Sequence, residues 1–124
     1  MKKIIASAQA PAAVGPYSQA IEVNGTLYIS GQLPIDPAQG QMPDSIEAQT
    51  EQALKNIGAI LHEAGYDYTD VVKSTVLLAD MNDFAAMNAV YAQFYTSQMP
   101  TRVCYQVAAL PKGAKVEIEA IAVK

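Results

Sequence analysis

The residues best suited to chemistry lie in two segments near the end of the chain. In TRVCYQVAA (101–109), Arg102 belongs to a polar set that alternates with apolar side chains, as in a β-strand. In KVEIEAIAV (115–123), Glu117 and Glu119 alternate with apolar residues in the same way. A guanidinium can bind a carboxylate through two hydrogen bonds, and a nearby glutamate can orient or deprotonate a water molecule. If the two strands are neighbours, they predict a site for a small carboxylate ligand. The alternative is a half-exposed sheet with solvated polar faces.

Alternation also assigns the faces of the first strand. We expect Val103 and Tyr105 to pack on a core, which places Arg102 and Cys104 on the other face. Cys104 then has two interpretations. It is a nucleophile if Arg102 lowers its pKa and favours the thiolate, or it is a small packing residue, the commoner role of a strand cysteine.

Three other side chains have binding or acid–base potential. Tyr17 follows Gly15–Pro16, which restricts its backbone and would aim the phenol; the alternative is a ring packed at the edge of the core. His62, the single histidine of the chain, falls one position off the apolar stripe of a predicted helix, so we expect it to be solvated. Asn88 lies off the stripe of a second predicted helix, and by residue type alone it is a surface amide.

These groups belong to a regular succession of predicted elements. Asn24–Gly25 between two apolar runs predicts a hairpin, Asp44 or Ser45 predicts the start of a long helix, and Gly65 predicts its end. In chain order we expect an edge strand at 3–6, hairpin strands at 20–23 and 26–30, a first helix, a strand at 70–79 buried largely on both faces, a second helix capped by Asp80 or Asn82, and the two strands described above.

This order predicts one α+β domain over residues 1–124. The expected architecture is a two-layer sandwich, with one mixed sheet and two helices on one of its faces. The other face of the sheet is then uncovered. An uncovered apolar face in a small domain predicts association with further copies of the chain.

Composition argues against several classes of protein. The net charge is −4 and no basic stripe is present, which disfavours a nucleic-acid-binding surface. One cysteine allows no internal disulfide and no zinc-type spacing. No stretch approaches the about 18 apolar residues of a membrane span, and the apolar run in the opening MKKIIASAQA is too short for a signal-peptide core. We therefore expect a soluble cytoplasmic protein that binds neither membranes nor nucleic acid.

Five segments resemble the RidA family, in the same order and over essentially the whole chain. They are GPYSQA (15–20), ISGQLP (29–34), DMNDFAAMN (80–88), PTRVC (100–104) and KVEIEAIAVK (115–124). The resemblance implies a chorismate-mutase-like α+β sandwich, assembled as a homotrimer with sites in the clefts between subunits. It implies hydrolysis of 2-imino acids, such as 2-iminobutanoate and 2-iminopropanoate, to 2-keto acids and ammonia, which protects pyridoxal-phosphate enzymes. No cofactor and no metal are implied.

The same resemblance implies roles for individual residues. Arg102 matches the residue that binds the substrate carboxylate, and Glu117 matches the residue that positions the attacking water. Cys104 matches a pocket cysteine without a covalent role. The remaining matched positions line the pocket or, for the last of them, carry a second acid of unassigned role: Tyr17, Ser30, Gly31, Asn88 and Glu119.

The chain departs from PARSCVEV, the segment usual in the family, because it reads PTRVCYQV. The change at Val103 lies on the face opposite Arg102 and should alter packing. Tyr105 and Gln106 can alter the pocket rim or the subunit contacts, and with them the substrate preference. Two other functions stay open. One is a non-enzymatic module that binds a small carboxylate, although Glu117 favours the enzyme. The other is the family's older attribution to ribonuclease, which the acidic composition disfavours.

Overall fold

Two helices pack on one face of a six-stranded mixed sheet in the computed structural model, which describes all 124 residues. The elements are β1 (Lys3–Ile5), β2 (Ala20–Val23), β3 (Thr26–Gln32), α1 (Ile46–Glu63), β4 (Val71–Leu78), α2 (Phe84–Phe94), β5 (Thr101–Gln106) and β6 (Val116–Val123). The sheet order is β1-β2-β3-β6-β4-β5, and every pair is antiparallel except β4–β5. This confirms the predicted α+β sandwich. No helix is long and apolar enough to cross a membrane.

Local signals in the sequence set the ends of several elements. Asn24 (φ 51°) and Gly25 (φ 77°) both adopt the left-handed conformation that a two-residue hairpin turn requires. The Ser45 side chain accepts a hydrogen bond from the backbone N–H of Ala48 and caps α1. Gly65, at φ 81°, follows the end of the same helix. The hairpin and the first helix therefore form where predicted.

The hydrophobic core lies between the helices and the central strands. Alternate residues of β3, β4 and β6 point toward the helices, and α1 buries one apolar stripe against β3 and β6. Each fully buried aliphatic side chain contributes about 1.5–3 kcal/mol to folding. The most deeply buried members are Leu27, Leu54, Ile57, Ile60, Leu61, Val76, Leu78, Val116 and Ile118.

No element of the chain covers the opposite face of the sheet. The strand registers place a broad set of apolar side chains there, each 46–64% exposed: Ile4, Tyr28, Val103, Tyr105 and Val123. We call this the open face. The prediction of an uncovered apolar face is confirmed.

Three details of the sheet differ from prediction. β5 and β6 are not neighbours, because β4 lies between them and pairs with both. β4 itself is buried on one face only, since Val72 and Lys73 are exposed and Thr75 and Leu77 of the open face are partly exposed. β5 ends at Gln106 rather than at residue 109. Sequence alternation reports neither the order of strands nor the covering of the second face.

Candidate functional site

A cleft of about 730 Å³ brings five of the predicted site residues together. Its walls come from the loop at 11–19, the end of β3, the loop at 33–40 and the start of β6. The predicted residues that line it are Tyr17, Ser30, Gly31, Glu117 and Glu119. Tyr17 is 49% exposed and lines the cleft, so the alternative of a ring packed at the core edge is wrong.

A bulge in β3 shapes the floor of this cleft. Ile29 pairs with Ala120 and Gln32 pairs with Ile118, so two residues of β3 face one of β6 between them. The two residues of the bulge are Ser30 and Gly31, and they lie opposite Glu119. The bulge brings the backbone of Gly31 against the Glu117 carboxyl group. Both interpretations of Gly31, a bulge and a close approach, therefore hold at once.

Replacement of Gly31 by alanine is expected to displace the Glu117 carboxyl group. A Cβ on Gly31 would lie 3.0 Å from Cδ and 3.3 Å from Cγ of Glu117, closer than carbon atoms pack. Because Gly31 is not in the left-handed region, alanine adds no backbone strain. Any activity that depends on this carboxyl group should fall about tenfold or more, the size expected when a reacting group is misplaced by about 1 Å, while thermal unfolding changes little. Full activity in Gly31→Ala would show that the position of this carboxyl group is unimportant.

Two buried amide side chains hold the loops that form the cleft walls. Gln19 Oε1 accepts from the N–H of Ser7 at 2.6 Å, and its Nε2 donates to the carbonyl of Pro11 at 2.7 Å. Asn56 on α1 donates from Nδ2 to two carbonyl oxygens of the loop at 33–40, both at 3.0 Å. Sequence reasoning missed both residues. The one available signal was a polar residue, Asn56, beside the apolar stripe of α1.

The two acids of the cleft differ in their surroundings. Glu117 is partly buried, whereas Glu119 is exposed. Burial raises the pKa of Glu117, and repulsion from Glu119 raises it further. A carboxyl group of this kind exchanges a proton closer to neutral pH than an ordinary glutamate does.

Arg102 lies on the other face of the sheet, beneath α2. Its Nη1 donates to Oδ1 of Asn88 at 2.6 Å. Its guanidinium carbon lies 4.8 Å from the ring centroid of Tyr91 and 5.6 Å from that of Phe84. The ion pairs of the chain lie elsewhere, so Arg102 has no carboxylate partner. Asn88 is a partner of this arginine, and its interpretation as a surface amide is wrong.

The faces of β5 are the reverse of those predicted. Arg102 and Cys104 point toward the helices and are partly buried, whereas Val103 and Tyr105 are 51% and 49% exposed on the open face. The reason is that the aromatic residues of α2 cover the arginine. The apolar pair instead contributes to the face that the chain leaves open.

The hypothesis that one chain brings Arg102 and Glu117 together is therefore wrong. Ser74 of β4 pairs with Arg102 on one side and with Ala120 on the other, three residues from Glu117. Two strand spacings and three residues along a strand separate their Cα atoms by about 14 Å. The side chains also point to opposite faces. Each chain therefore holds two separate groups of predicted site residues, which we call half-sites: one with Arg102, Cys104 and Asn88, and one in the cleft.

Known proteins resemble the chain over its whole length. A model of the Endoribonuclease L-PSP family matches residues 7–124. The 2-iminobutanoate/2-iminopropanoate deaminase of Capra hircus is 61% identical, and the Homo sapiens protein of that name is 53% identical; both alignments cover 100% of this chain and 91% of the relative. A crystal structure of RidA from an Antarctic Psychrobacter is 48% identical, with a TM-score of 0.96 over 98% of this chain and 99% of that one.

The chain belongs to the RidA family. A second solved structure, Escherichia coli TdcF with bound serine, is 45% identical and has a TM-score of 0.95, with 98% of each chain covered. The family resemblance of the sequence is thus confirmed, together with the fold that it implies.

Two departures from the usual RidA segment have visible surroundings. Tyr105 lies on the open face in the same row as Glu117, with Leu77 of β4 between them. Gln106 Oε1 accepts from the N–H of Met81 at 2.8 Å and so ties β5 to the turn that precedes α2. Gln106 therefore supports the helix that covers Arg102. Tyr105 does not contact that helix, because its side chain points to the opposite face of the sheet.

Cys104 is a packing residue on the Arg102 side of the sheet. It contacts the hydrophobic core from a partly buried position. Burial raises the pKa of its thiol, and the nearby Arg102 opposes this shift without reversing it. This direction of the shift disfavours a thiolate activated by Arg102.

Proposed function

We propose that the protein hydrolyses 2-imino acids to 2-oxo acids and ammonia. The deaminases named above support this, since they match the full chain at 53–61% identity. The observation that carries the proposal is Arg102, a partly buried guanidinium with a fixed orientation and no carboxylate partner. Such a group suits the carboxylate that every 2-imino acid carries.

We further propose that the complete site lies between subunits of a homotrimer. Arg102 and Glu117 point to opposite faces of one sheet, so they can meet only if Arg102 of one chain approaches the cleft of the next. The apolar open face supports such an assembly, because burial of these side chains against a second copy is favourable.

The reaction then follows from the residues of the two half-sites. Arg102 holds the carboxylate and fixes the neighbouring C2 atom. Glu117 takes a proton from a water molecule, whose oxygen bonds to C2 while the π bond between C2 and the nitrogen breaks and the nitrogen takes a proton from solvent. Protonated Glu117 then gives its proton to the amino nitrogen of the carbinolamine, the C2–nitrogen bond breaks to release ammonia, and the hydroxyl oxygen loses its proton to solvent as the carbonyl forms. Orientation and electrostatic stabilisation supply the acceleration. Tyr17, Ser30 and Gly31 line the space in which the reaction occurs.

The test is a coupled assay in which a serine or threonine dehydratase releases the imino acid in the presence of semicarbazide. The protein competes with semicarbazide for the imine, so its activity appears as a fall in semicarbazone formation. We expect that fall for the imines with two- and one-carbon side chains. An unchanged semicarbazone yield over several imino acids would overturn the proposed function.

Substitution of Glu119 by glutamine is expected to extend activity to lower pH. Ionised Glu117 is the form that accepts a proton from water, so activity falls as the pH drops through its pKa. The charge of Glu119 contributes to raising that pKa, and its removal lets Glu117 stay ionised at lower pH. The measurement is kcat/KM against pH, with Glu63→Gln on the exposed side of α1 as control. If the acidic limb of this pH profile stays in place or moves to higher pH in Glu119→Gln, the proposed effect of Glu119 on the pKa of Glu117 is contradicted.

A non-enzymatic binding module is the second candidate. The serine bound to Escherichia coli TdcF favours it, because serine also carries a carboxylate. A binder needs Arg102 but not the proton transfer of Glu117. Binding of 2-oxobutanoate without any effect on semicarbazone formation would select this candidate over the deaminase.

The name of the matching family model raises ribonuclease as a further activity. The cleft offers two carboxylates and one lysine, Lys112, at its rim. That balance of charge repels phosphates. We propose that RNA is not a ligand, and salt-sensitive RNA binding at low ionic strength would contradict this.

A further inference from the structure

We propose that one stripe of α2, formed by Phe84, Asn88 and Tyr91, is an uncharged cradle that orients Arg102 without neutralising it. The three residues are spaced i, i+4 and i+7, so they share one face of the helix. The proposal rests on the function proposed above, because it takes Arg102 as the anchor of a ligand carboxylate. Each member of the stripe is a positioning residue that acts through Arg102.

The contacts constrain the guanidinium in two directions. The amide oxygen of Asn88 takes one N–H of Nη1 at 2.6 Å. The rings of Tyr91 and Phe84 lie under the guanidinium carbon at 4.8 and 5.6 Å. A guanidinium has five N–H groups in one plane, so contacts with its face and with one N–H leave donors free for a carboxylate.

The cradle is itself held in place. Tyr91 is buried and packs against Tyr95 with ring centroids 4.7 Å apart. Burial raises the pKa of Tyr91, so its phenol stays neutral at physiological pH. Ser74 and Arg102 oppose that shift, although the Ser74 hydroxyl completes no hydrogen bond with the phenol. No charged side chain of α2 faces Arg102.

Neutrality is the functional part of this arrangement. An aspartate or glutamate at position 88 would hold the guanidinium as firmly as Asn88 does. It would also form an ion pair, and a ligand carboxylate would then compete with a carboxylate already bound. Asparagine orients the arginine through the same hydrogen bond and leaves its charge for the ligand.

The experiment compares Asn88→Asp with Asn88→Ala in the full-length protein. The probe is 2-oxobutanoate, titrated calorimetrically, and KM is measured in parallel by the semicarbazide assay. The control is Gln93→Glu, which adds the same charge at an exposed position of α2 outside the stripe. Thermal unfolding of each variant reports whether it is folded.

We expect Asn88→Asp to weaken 2-oxobutanoate binding and raise KM about tenfold or more, which corresponds to about 1.4 kcal/mol. Asn88→Ala should weaken 2-oxobutanoate binding and raise KM about threefold, because the guanidinium loses its orienting hydrogen bond but gains no competing charge. Gln93→Glu should match the wild type. A purely structural role for Asn88 predicts the opposite order, since aspartate replaces asparagine with less change of shape than alanine does.

The contact between the Tyr91 ring and the guanidinium is tested by comparing a substitution that keeps the ring with one that removes it. Tyr91→Phe keeps the ring and should bind 2-oxobutanoate like the wild type, whereas Tyr91→Leu should bind it several-fold more weakly. Wild-type-like binding in Asn88→Asp, or equal binding in Tyr91→Phe and Tyr91→Leu folded variants, would overturn the cradle. Failure of the deaminase proposal looks different: the wild type would leave imines untouched, and the order of 2-oxobutanoate affinities would still report on the cradle.

Discussion

Arg102→Ala is expected to lose about 100-fold or more in kcat/KM while remaining folded. In the proposed complex, Arg102 pairs with the carboxylate of the substrate. Removing one partner of such a partly buried charge pair costs about 2–5 kcal/mol in binding. Folding should be little affected, since Arg102 makes no ion pair within the chain and its removal costs one hydrogen bond and two ring contacts. The semicarbazide assay measures the activity, and thermal unfolding measures the stability.

Arg102→Lys is the matched control for charge. Lysine keeps the positive charge but presents a single ammonium group, which cannot make two parallel hydrogen bonds to a carboxylate. We expect it to lie between alanine and the wild type. If Arg102→Ala kept wild-type turnover, the carboxylate anchor would have to be another residue, and the proposed function would lose its principal support.

Mixing Arg102→Ala chains with Glu117→Gln chains is expected to restore activity that neither variant has alone. In the proposed trimer, each complete site needs Arg102 from one subunit and Glu117 from a neighbour. In a trimer that contains both kinds of chain, about one third of the sites combine an intact arginine with an intact glutamate. The measurement is the turnover of co-refolded, differently tagged chains, isolated through both tags in sequence and compared with wild-type protein treated in the same way.

The control for this mixture contains two differently tagged Arg102→Ala chains, which should stay inactive because no arginine is present in any site. Persistent inactivity of the Arg102→Ala and Glu117→Gln mixture, with assembly confirmed by light scattering, would contradict a site shared between subunits. The experiment therefore tests the assembly and the division of the site together.

Elements with local signals were predictable from the sequence. Asn24–Gly25 and Ser45 act through their own backbone geometry and side chain, so their sequence neighbourhood is sufficient to predict a turn and a cap. The alternation in β6 was equally informative, because Val116 and Ile118 face the core and Glu117 does not. In each case the determining interaction lies within a few residues along the chain.

Features that depend on distant contacts were not predictable. Alternation in β5 separates Arg102 from Val103 but does not say which of them faces the helices; that depends on the aromatic residues of α2. The position of β6 between β3 and β4 depends on the whole sheet, so the separation of Arg102 from Glu117 had no local signal. Gln19 was missed for a related reason, since a side chain that binds loop carbonyls follows no periodicity.

The protonated state of Cys104 has a consequence for the lifetime of the protein. Imines of the kind proposed as substrates are electrophiles at C2, and a thiolate close to Arg102 would be positioned to add to that carbon. Burial keeps the Cys104 sulfur as a neutral thiol, a much weaker nucleophile. In the proposed site, a reactive imine would therefore meet a neutral thiol at the single cysteine, and the protein would be protected from modification by its own substrate.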